Sequence, residues 1–234
     1  METKKEPLQP IKNLSYILIV GLLILTLLEA LSVLTGAMRI FQYTFFAGGG
    51  AAESPSLLVD SVYQFFFEAQ NFVYFPIPFI FAIWLYRMNH NLRQLSTKPM
   101  EFTPGWMVGW YLIPIANLFV PFKGMQELWR VSHKRWDANP SILRWWWGLW
   151  LFRNIGDGGI AQFINNTAVT EGVIGTTFAF VGADILNVAL NLVALRIVTS
   201  IWAAYEENYI MLEDGIDHSD IVIKDLKERE QSPA

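Results

Sequence analysis

The sequence predicts an all-α protein: a polytopic transmembrane helical bundle with a re-entrant segment and an interfacial amphipathic helix. Three observations lead to this fold class. Of the 234 residues, 53% are hydrophobic and only 16% are charged, which is too apolar for an ordinary soluble domain. Four apolar stretches are long enough to cross the roughly 30 Å hydrocarbon core of a bilayer. A fifth, shorter stretch is broken by proline and asparagine, which is typical of a chain that turns back inside a membrane.

The residue types present exclude several kinds of site. The chain has no cysteine, so disulfides, thiolate nucleophiles and cysteine-bound metals are impossible. Its three histidines, His90, His133 and His218, lie in polar flanks of the apolar stretches, which argues against a haem held by two histidines inside the bilayer. No zinc-protease, serine-hydrolase or phosphate-loop motif occurs. We therefore expect no enzyme activity, no cofactor and no bound metal.

The first two predicted spans are residues 14–38 and 61–86. The first contains one charged residue, Glu29. A cleaved signal peptide is the competing interpretation, but the apolar core of such a peptide is usually only about 7 to 15 residues long. The second span contains Pro76 and Pro78, each of which removes a backbone donor. We therefore expect a kink within it.

The last two predicted spans are residues 142–165 and 173–203. An aromatic belt at the membrane interface is predicted near the start of the first of these by four tryptophans: Trp145, Trp146, Trp147 and Trp150. Arg153 and Asp157 lie further along the same stretch, and each costs about 2.5 to 3.5 kcal/mol at a helix centre. This span should therefore insert only when partner helices surround it.

Between these pairs lies the broken stretch, residues 106–122, which contains 17 uncharged residues. This length is at the short end of what can span, and Pro114 and Asn117 supply turn chemistry near its middle. We predict that it enters the membrane and returns; a complete but kinked span is the alternative. Residues 122–137 then show one apolar arc and one charged arc, the pattern of a helix that lies in the membrane interface and contacts anionic lipid.

Lysine and arginine mark the cytoplasmic side of a membrane protein. They are concentrated at the amino terminus, in residues 87–105 and in residues 123–144. All three regions lie on the cytoplasmic side only if residues 106–122 enter the membrane and return. The connections 42–60 and 166–172, which contain no lysine or arginine, then lie on the outer side. We predict a transmembrane domain over residues 1–205, in the bacterial inner membrane, with both termini in the cytoplasm.

The last 29 residues, 206–234, form the second predicted unit, an acidic cytoplasmic tail. They contain nine acidic and three basic residues, a net charge of −6. Such a tail is expected to be solvated, and its charge argues against binding to nucleic acid.

One set of residues resembles the signature of a known family: Trp84, Arg87, Pro104, Trp106, Gly109, Trp110, Pro114, Asn117, Leu118, Pro121, Leu128 and Trp129. The pattern is similar to that of the bacterial membrane proteins catalogued as domain of unknown function 4328, and the similarity covers about residues 75–205. The resemblance implies a bacterial membrane location. It carries over no catalytic residue.

Charged residues inside spans are functional candidates because they are costly to insert. Depth along the helices suggests two buried ion pairs, Arg153 with Asp184 and Arg39 with Glu68. A pair that locks helices together would satisfy both charges without a ligand, and a transport pathway is the competing interpretation.

Asp184 also begins a polar stripe. Asp184, Asn187 and Asn191 have the spacing i, i+3 and i+7, which puts them on one helix face. With the broken segment, they complete a candidate pathway or ligand pocket: Trp84, Arg87, Trp110, Pro114, Asn117, Pro121, Asp184, Asn187 and Asn191. Hydrogen bonds between packed helices would explain the same stripe.

Two functions fit these observations. The first is a non-enzymatic scaffold or regulatory subunit, whose basic helix contacts anionic lipid and whose acidic tail contacts an unknown protein partner. The alternative is a small channel or transporter, a possible homo-oligomer, that uses the break at 110–121 and the Asp184 stripe.

Overall fold

The structure, a computed structural model, describes residues 7–45, 57–154 and 172–210, and within these ranges it contains helices and turns but no strand. The helices are α1 (Lys12–Phe45), α2 (Leu57–Tyr74), α3 (Ile77–Leu95), α4 (Pro104–Gly109), α5 (Val120–Ser132), α6 (residues 141–154) and α7 (Gly172–Tyr205). The second half of the predicted span 142–165 and the tail beyond residue 210 lie outside the described residues.

Three helical stretches are long and apolar enough to cross a membrane: Lys12–Phe45, Leu57–Leu95 and Ile174–Tyr209. They contain the predicted spans 14–38, 61–86 and, apart from its first residue, 173–203. Helices α1 and α7 have 34 residues each, so they are about 50 Å long at 1.5 Å per residue and exceed the hydrocarbon core. The fold is that of a helical membrane protein.

The predicted kink separates α2 from α3. Helix α2 ends at Tyr74, Phe75 and Pro76 form a turn, and Pro76 caps the start of α3. Pro78 lies in the first turn of α3, where its missing N–H would have no intrahelical acceptor anyway. The break lies against α1, because a Cβ atom added at Gly21 would come within 2.6 Å of Ile77 Cδ1.

Helix α1 packs along both α2 and α7. All three helices are in close contact at Gly36, where an added Cβ atom would collide with Val181 Cγ2 and lie 3.2 Å from Tyr63 Cε2. A small residue at such a crossing allows the backbones to come together. This contact determines how the polar faces of the three helices meet further along.

At the other end of the bundle the chain forms what we call the terminal cap: residues 7–11, the second half of α3, α4, α5, the end of α7 and the π-helical turn Glu206–Ile210 that follows it. Its core is fully buried and consists of Met88, Leu92, Met125, Leu128 and Val131. The Asn91 amide accepts from Gln9 N at 2.8 Å and donates to Gln9 O at 2.9 Å, and Tyr209 Oη donates to Val131 O at 2.8 Å. The first and last described residues of the chain are thereby held at the same end.

The broken segment leaves the cap and returns to it. Helix α4 ends at Gly109, short 3₁₀ turns follow at Trp110–Leu112 and Ala116–Leu118, and α5 then begins. A Cβ atom added at Gly124 would lie 2.8 Å from Met107 Sδ, so the two ends of the segment touch.

Helix α5 differs from its prediction in two respects. It ends at Ser132 rather than at residue 137, because Lys134 adopts a left-handed backbone conformation (φ 52°) that a helix cannot continue through. Part of its apolar arc, Met125 and Leu128, is fully buried against the protein.

Candidate functional site

Polar side chains from α1, α2, α6 and α7 meet near the middle of the bundle. Asp184, which is only 4% exposed, accepts hydrogen bonds from two other helices. Ser32 Oγ donates to Asp184 Oδ2 at 2.7 Å, and Gln70 Nε2 donates to Asp184 Oδ1 at 3.1 Å. One carboxylate therefore joins α1, α2 and α7.

Glu29 and Asn191 form the next contact along the same helix faces. Asn191 Nδ2 donates to Glu29 Oε2 at 2.7 Å, and Glu29 is only 3% exposed. Glu29 and Ser32 lie about one turn apart on α1, and Asp184 and Asn191 lie about two turns apart on α7, so each pair faces the other helix. The predicted polar stripe of α7 thus packs against a stripe of α1.

The two predicted ion pairs are replaced by other partners. Arg153 Nε donates to Asn187 Oδ1 at 2.8 Å, while Asp184 is held by Ser32 and Gln70, so Arg153 and Asp184 form no ion pair with each other. Asn187 lies about one turn along from Asp184 on α7, and its side chain contacts α6 through Arg153.

Arg39 pairs with Asp60 rather than with Glu68. Arg39 Nε lies 2.7 Å from Asp60 Oδ1, and Arg39 Nη1 donates to Thr177 Oγ1 at 3.0 Å. Glu68 lies on the exposed side of α2, where it accepts from Gln64 Nε2 at 3.1 Å. Helix α2 begins at Leu57, earlier than the predicted start at 61, and this extra turn turns Asp60 toward Arg39.

A cavity of about 220 Å³ lies beside these contacts, and we call it the polar cavity. Its lining includes one carboxyl group, one guanidinium and five amides: Glu29, Arg153, Gln70, Asn71, Asn154, Asn187 and Asn191. Leu25, Tyr74, Trp150 and Leu190 complete the wall. A carboxyl group, a guanidinium and several amides thus line one small volume between four helices.

A second cavity of about 600 Å³, the apolar cavity, lies between α1, α3, α6, α7 and the broken segment. Leu18, Leu22, Ile77, Leu85 and Val198 form much of its wall. Two polar atoms in this wall, Tyr111 Oη and Asn117 Oδ1, are buried without a hydrogen-bond partner among the described residues. Of the predicted pocket residues on the broken segment, Asn117 is the one that lines a cavity.

The remaining predicted pocket residues have structural contacts in or near the cap. Trp84 is fully buried and its Nε1 donates to Ser15 Oγ at 2.9 Å, while Arg87 Nη1 donates to Pro10 O at 2.8 Å. Pro121 is buried in the first turn of α5. The structure therefore separates them from the Asp184 stripe.

Trp110 and Pro114 lie on the broken segment, outside both cavity linings. The Trp110 ring packs on that of Trp106, with centroids 4.7 Å apart. Pro114 is exposed in the turn between the two 3₁₀ turns.

Sequence reasoning missed three amides that line the polar cavity: Gln70 and Asn71 on α2 and Asn154 on α6. Each has apolar neighbours within a predicted span, and a polar side chain in such a position is a sign that it faces a polar volume. No group of three or more metal-ligating side chains occurs in the part of the chain that the structure describes.

Helices long and apolar enough to span a bilayer, packed around a buried polar centre, define the class: a polytopic helical membrane protein. A family model described as "Domain of unknown function (DUF4328)" matches residues 58–203, well over half of the chain. The chain belongs to this family, as its motifs indicate. No curated protein and no solved structure matches it.

Proposed function

We propose that the chain is a non-enzymatic transport protein that binds a small zwitterionic compound in the polar cavity and carries it across the bacterial inner membrane. The observation that supports this most is the lining of the cavity, where Glu29 and Arg153 bring a carboxyl group and a guanidinium to one volume among five amides. Sites between the helices of a bundle commonly bind ligands through a few converging polar groups.

Helix packing alone does not require this composition. Apolar side chains would join the helices without the cost of inserting a carboxylate or a guanidinium. Gln70 is only 7% exposed, yet its Oε1 atom has no hydrogen-bond partner within the described residues. A buried acceptor of this kind is satisfied when a bound compound supplies a donor.

The proposal includes the topology in which residues 106–122 re-enter the membrane and both termini are cytoplasmic. Contact between Met107 and Gly124 supports a segment that returns to the side of the membrane from which it entered. Leu112 and Ile115, on the broken segment, are 83% and 78% exposed, which suits contact with lipid. Lys98, Lys123 and Arg130 line a cleft on the cap, where they would face the anionic lipids of the cytoplasmic leaflet.

Uptake into reconstituted vesicles tests the function. Uptake of a panel of zwitterionic compounds, both water-soluble and lipid-like, would be measured for the full chain and for its Glu29→Gln variant. Glutamine has almost the same shape as glutamate and can still accept from Asn191, so the variant removes the carboxyl group from the cavity lining and keeps this helix contact. We expect uptake of at least one compound by the unmodified protein and strongly reduced uptake by Glu29→Gln.

Glu68→Gln is the matched control, because it removes a carboxylate from the exposed side of α2. It should transport like the unmodified protein. If the unmodified protein moves no compound of the panel faster than protein-free vesicles do, the proposed function is wrong.

A further inference from the structure

The polar and apolar cavities adjoin each other. Five residues contribute to the walls of both: Tyr74, Trp150, Asn154, Leu190 and Asn191. The same Asn191 that donates to Glu29 thus also borders the apolar volume. A single molecule could occupy both cavities with its polar part near Glu29 and its apolar part near Leu18.

The volumes favour an occupant that uses both. Sites for small organic ligands usually measure about 300 to 1,000 Å³. The polar cavity, at about 220 Å³, falls below this range, and the apolar cavity, at about 600 Å³, lies well inside it. The larger volume is apolar, so most of the occupant would be hydrocarbon.

The apolar cavity is reached from the side of the bundle. Phe79 and Leu112 belong to its wall and are 61% and 83% exposed. Both lie where the helices would face lipid, at the start of α3 and on the broken segment. A molecule dissolved in the bilayer could therefore enter without first passing through water.

The polar cavity determines which head group such a molecule has. The Glu29 carboxyl group accepts hydrogen bonds, and the buried Gln70 Oε1 is a further acceptor, so both suit an ammonium group. Arg153 brings a guanidinium to the same lining, which suits an anionic oxygen. A head group that carries both charges matches this pair.

We infer that the ligand is an amphiphile with one aliphatic chain and a small zwitterionic head, which enters from the bilayer and binds with its head between Glu29 and Arg153. The inference rests on the proposed function and names the class of its substrate. The aliphatic chain of the ligand occupies the apolar cavity, and the ammonium group of its head contacts Glu29 and Gln70.

Native mass spectrometry of the full chain, released from detergent micelles, tests this with three probes. Lysophosphatidylethanolamine has the chain and both charges, glycerophosphoethanolamine has the head group without the chain, and a monoacylglycerol of equal chain length lacks the charges. We expect one lysophosphatidylethanolamine to be retained per chain, in preference to the other two probes.

Variants locate the binding. Glu29→Gln can still accept from Asn191, and it should weaken retention about tenfold because one charge-assisted hydrogen bond is lost. Ala194→Phe and Ala82→Leu fill the apolar cavity from α7 and α3, and both should reduce retention. Ala30→Phe adds the same ring on the exposed face of α1 and should retain the probe normally.

Four results would overturn the inference. Equal retention of glycerophosphoethanolamine would show that the aliphatic chain of the ligand contributes nothing to binding, although the proposed function would stand. Equal retention of the monoacylglycerol, or no effect of Glu29→Gln, would identify ordinary lipid in a groove. Retention of none of the probes would exclude this ligand class, and vesicle uptake of a water-soluble zwitterion would then decide the proposed function separately.

Discussion

His133 illustrates at the scale of one residue how the cap is attached to the bundle. Its ring stacks on Trp129, with centroids 4.2 Å apart. Nδ1 lies 2.9 Å from Trp129 O, and because a carbonyl only accepts, Nδ1 carries the proton in this contact. Nε2 lies 3.1 Å from Ser200 Oγ on α7. In the neutral ring Nε2 accepts from this hydroxyl, so one imidazole links the end of α5 to α7.

This contact predicts a pH dependence of stability. Burial lowers the pKa of His133, and Arg135 lowers it further, whereas the Trp129 carbonyl and Glu207 act in the opposite direction. Because its pKa is lower in the folded than in the unfolded protein, the neutral form is favoured by folding. The contribution to stability is complete above the unfolded pKa of about 6.5 and is lost as the pH falls through the folded value.

Thermal unfolding between pH 8 and pH 5 measures this effect. The melting temperature of the unmodified protein should fall on acidification by more than that of His133→Gln, which keeps a neutral hydrogen-bonding side chain. Equal slopes for the two proteins would show that His133 does not contribute to the pH dependence.

At the scale of elements, the crossing of α1, α2 and α7 depends on the absence of one methyl group. An added Cβ atom at Gly36 would collide with Val181, whose branched side chain has little freedom in a helix. Gly182, on α7, has nothing within 4 Å of its added Cβ position. Substitution of Gly36 by alanine therefore tests the contact, and the same substitution at Gly182 is its matched control.

We predict that Gly36→Ala destabilises the protein by about 1 to 3 kcal/mol, as overpacking usually does. Gly182→Ala should leave stability unchanged or raise it by up to about 1 kcal/mol, because alanine favours a helix. The free energy of unfolding of both variants would be compared with that of the unmodified chain. Val181→Ala should partly restore Gly36→Ala, and a failure to do so would contradict the clash.

The positions of the helices were more predictable from the sequence than the side-chain contacts between them. Apolar length was sufficient to predict three of the four spans, and the positions of Pro76 and Pro78 were sufficient to predict where one of these breaks. The partner of Arg39 was not predictable, because it depends on where α2 begins and how the helix is rotated. Starting the span at 61 left Asp60 in a loop, whereas the helix begins at Leu57 and turns Asp60 toward α1.

At the scale of the whole molecule, the cap brings the beginning and the end of the described chain together. Gln9 is held by Asn91, and Asn91 Nδ2 also donates to Tyr205 Oη at 3.2 Å. The side-chain contacts of Asn91 were outside the reach of sequence patterns, since they join residues more than 80 positions apart. The motif residues Trp84, Arg87 and Leu128 make contacts in or beside this unit.

The proposed orientation of the whole molecule predicts a labelling pattern. The natural chain has no cysteine, so a single Lys134→Cys substitution provides one reactive thiol. A membrane-impermeant maleimide should label it only after the membrane is opened, because the cap is proposed to be cytoplasmic. Ser54→Cys, in the connection predicted to lie outside, should be labelled in intact cells. Labelling of Lys134→Cys from outside would contradict the re-entrant segment.

The contact between Glu29 and Asn191 also has a consequence for how the protein is made. Its two residues are separated by 162 positions. At roughly 5 to 20 residues per second, the ribosome reaches Asn191 about 8 to 30 seconds after it has made Glu29. During that interval the Glu29 carboxyl group on α1 lacks this partner, because α7 has not yet been synthesised. Assembly of the polar centre is therefore a late event in biosynthesis, and a nascent chain interrupted before α7 cannot complete it.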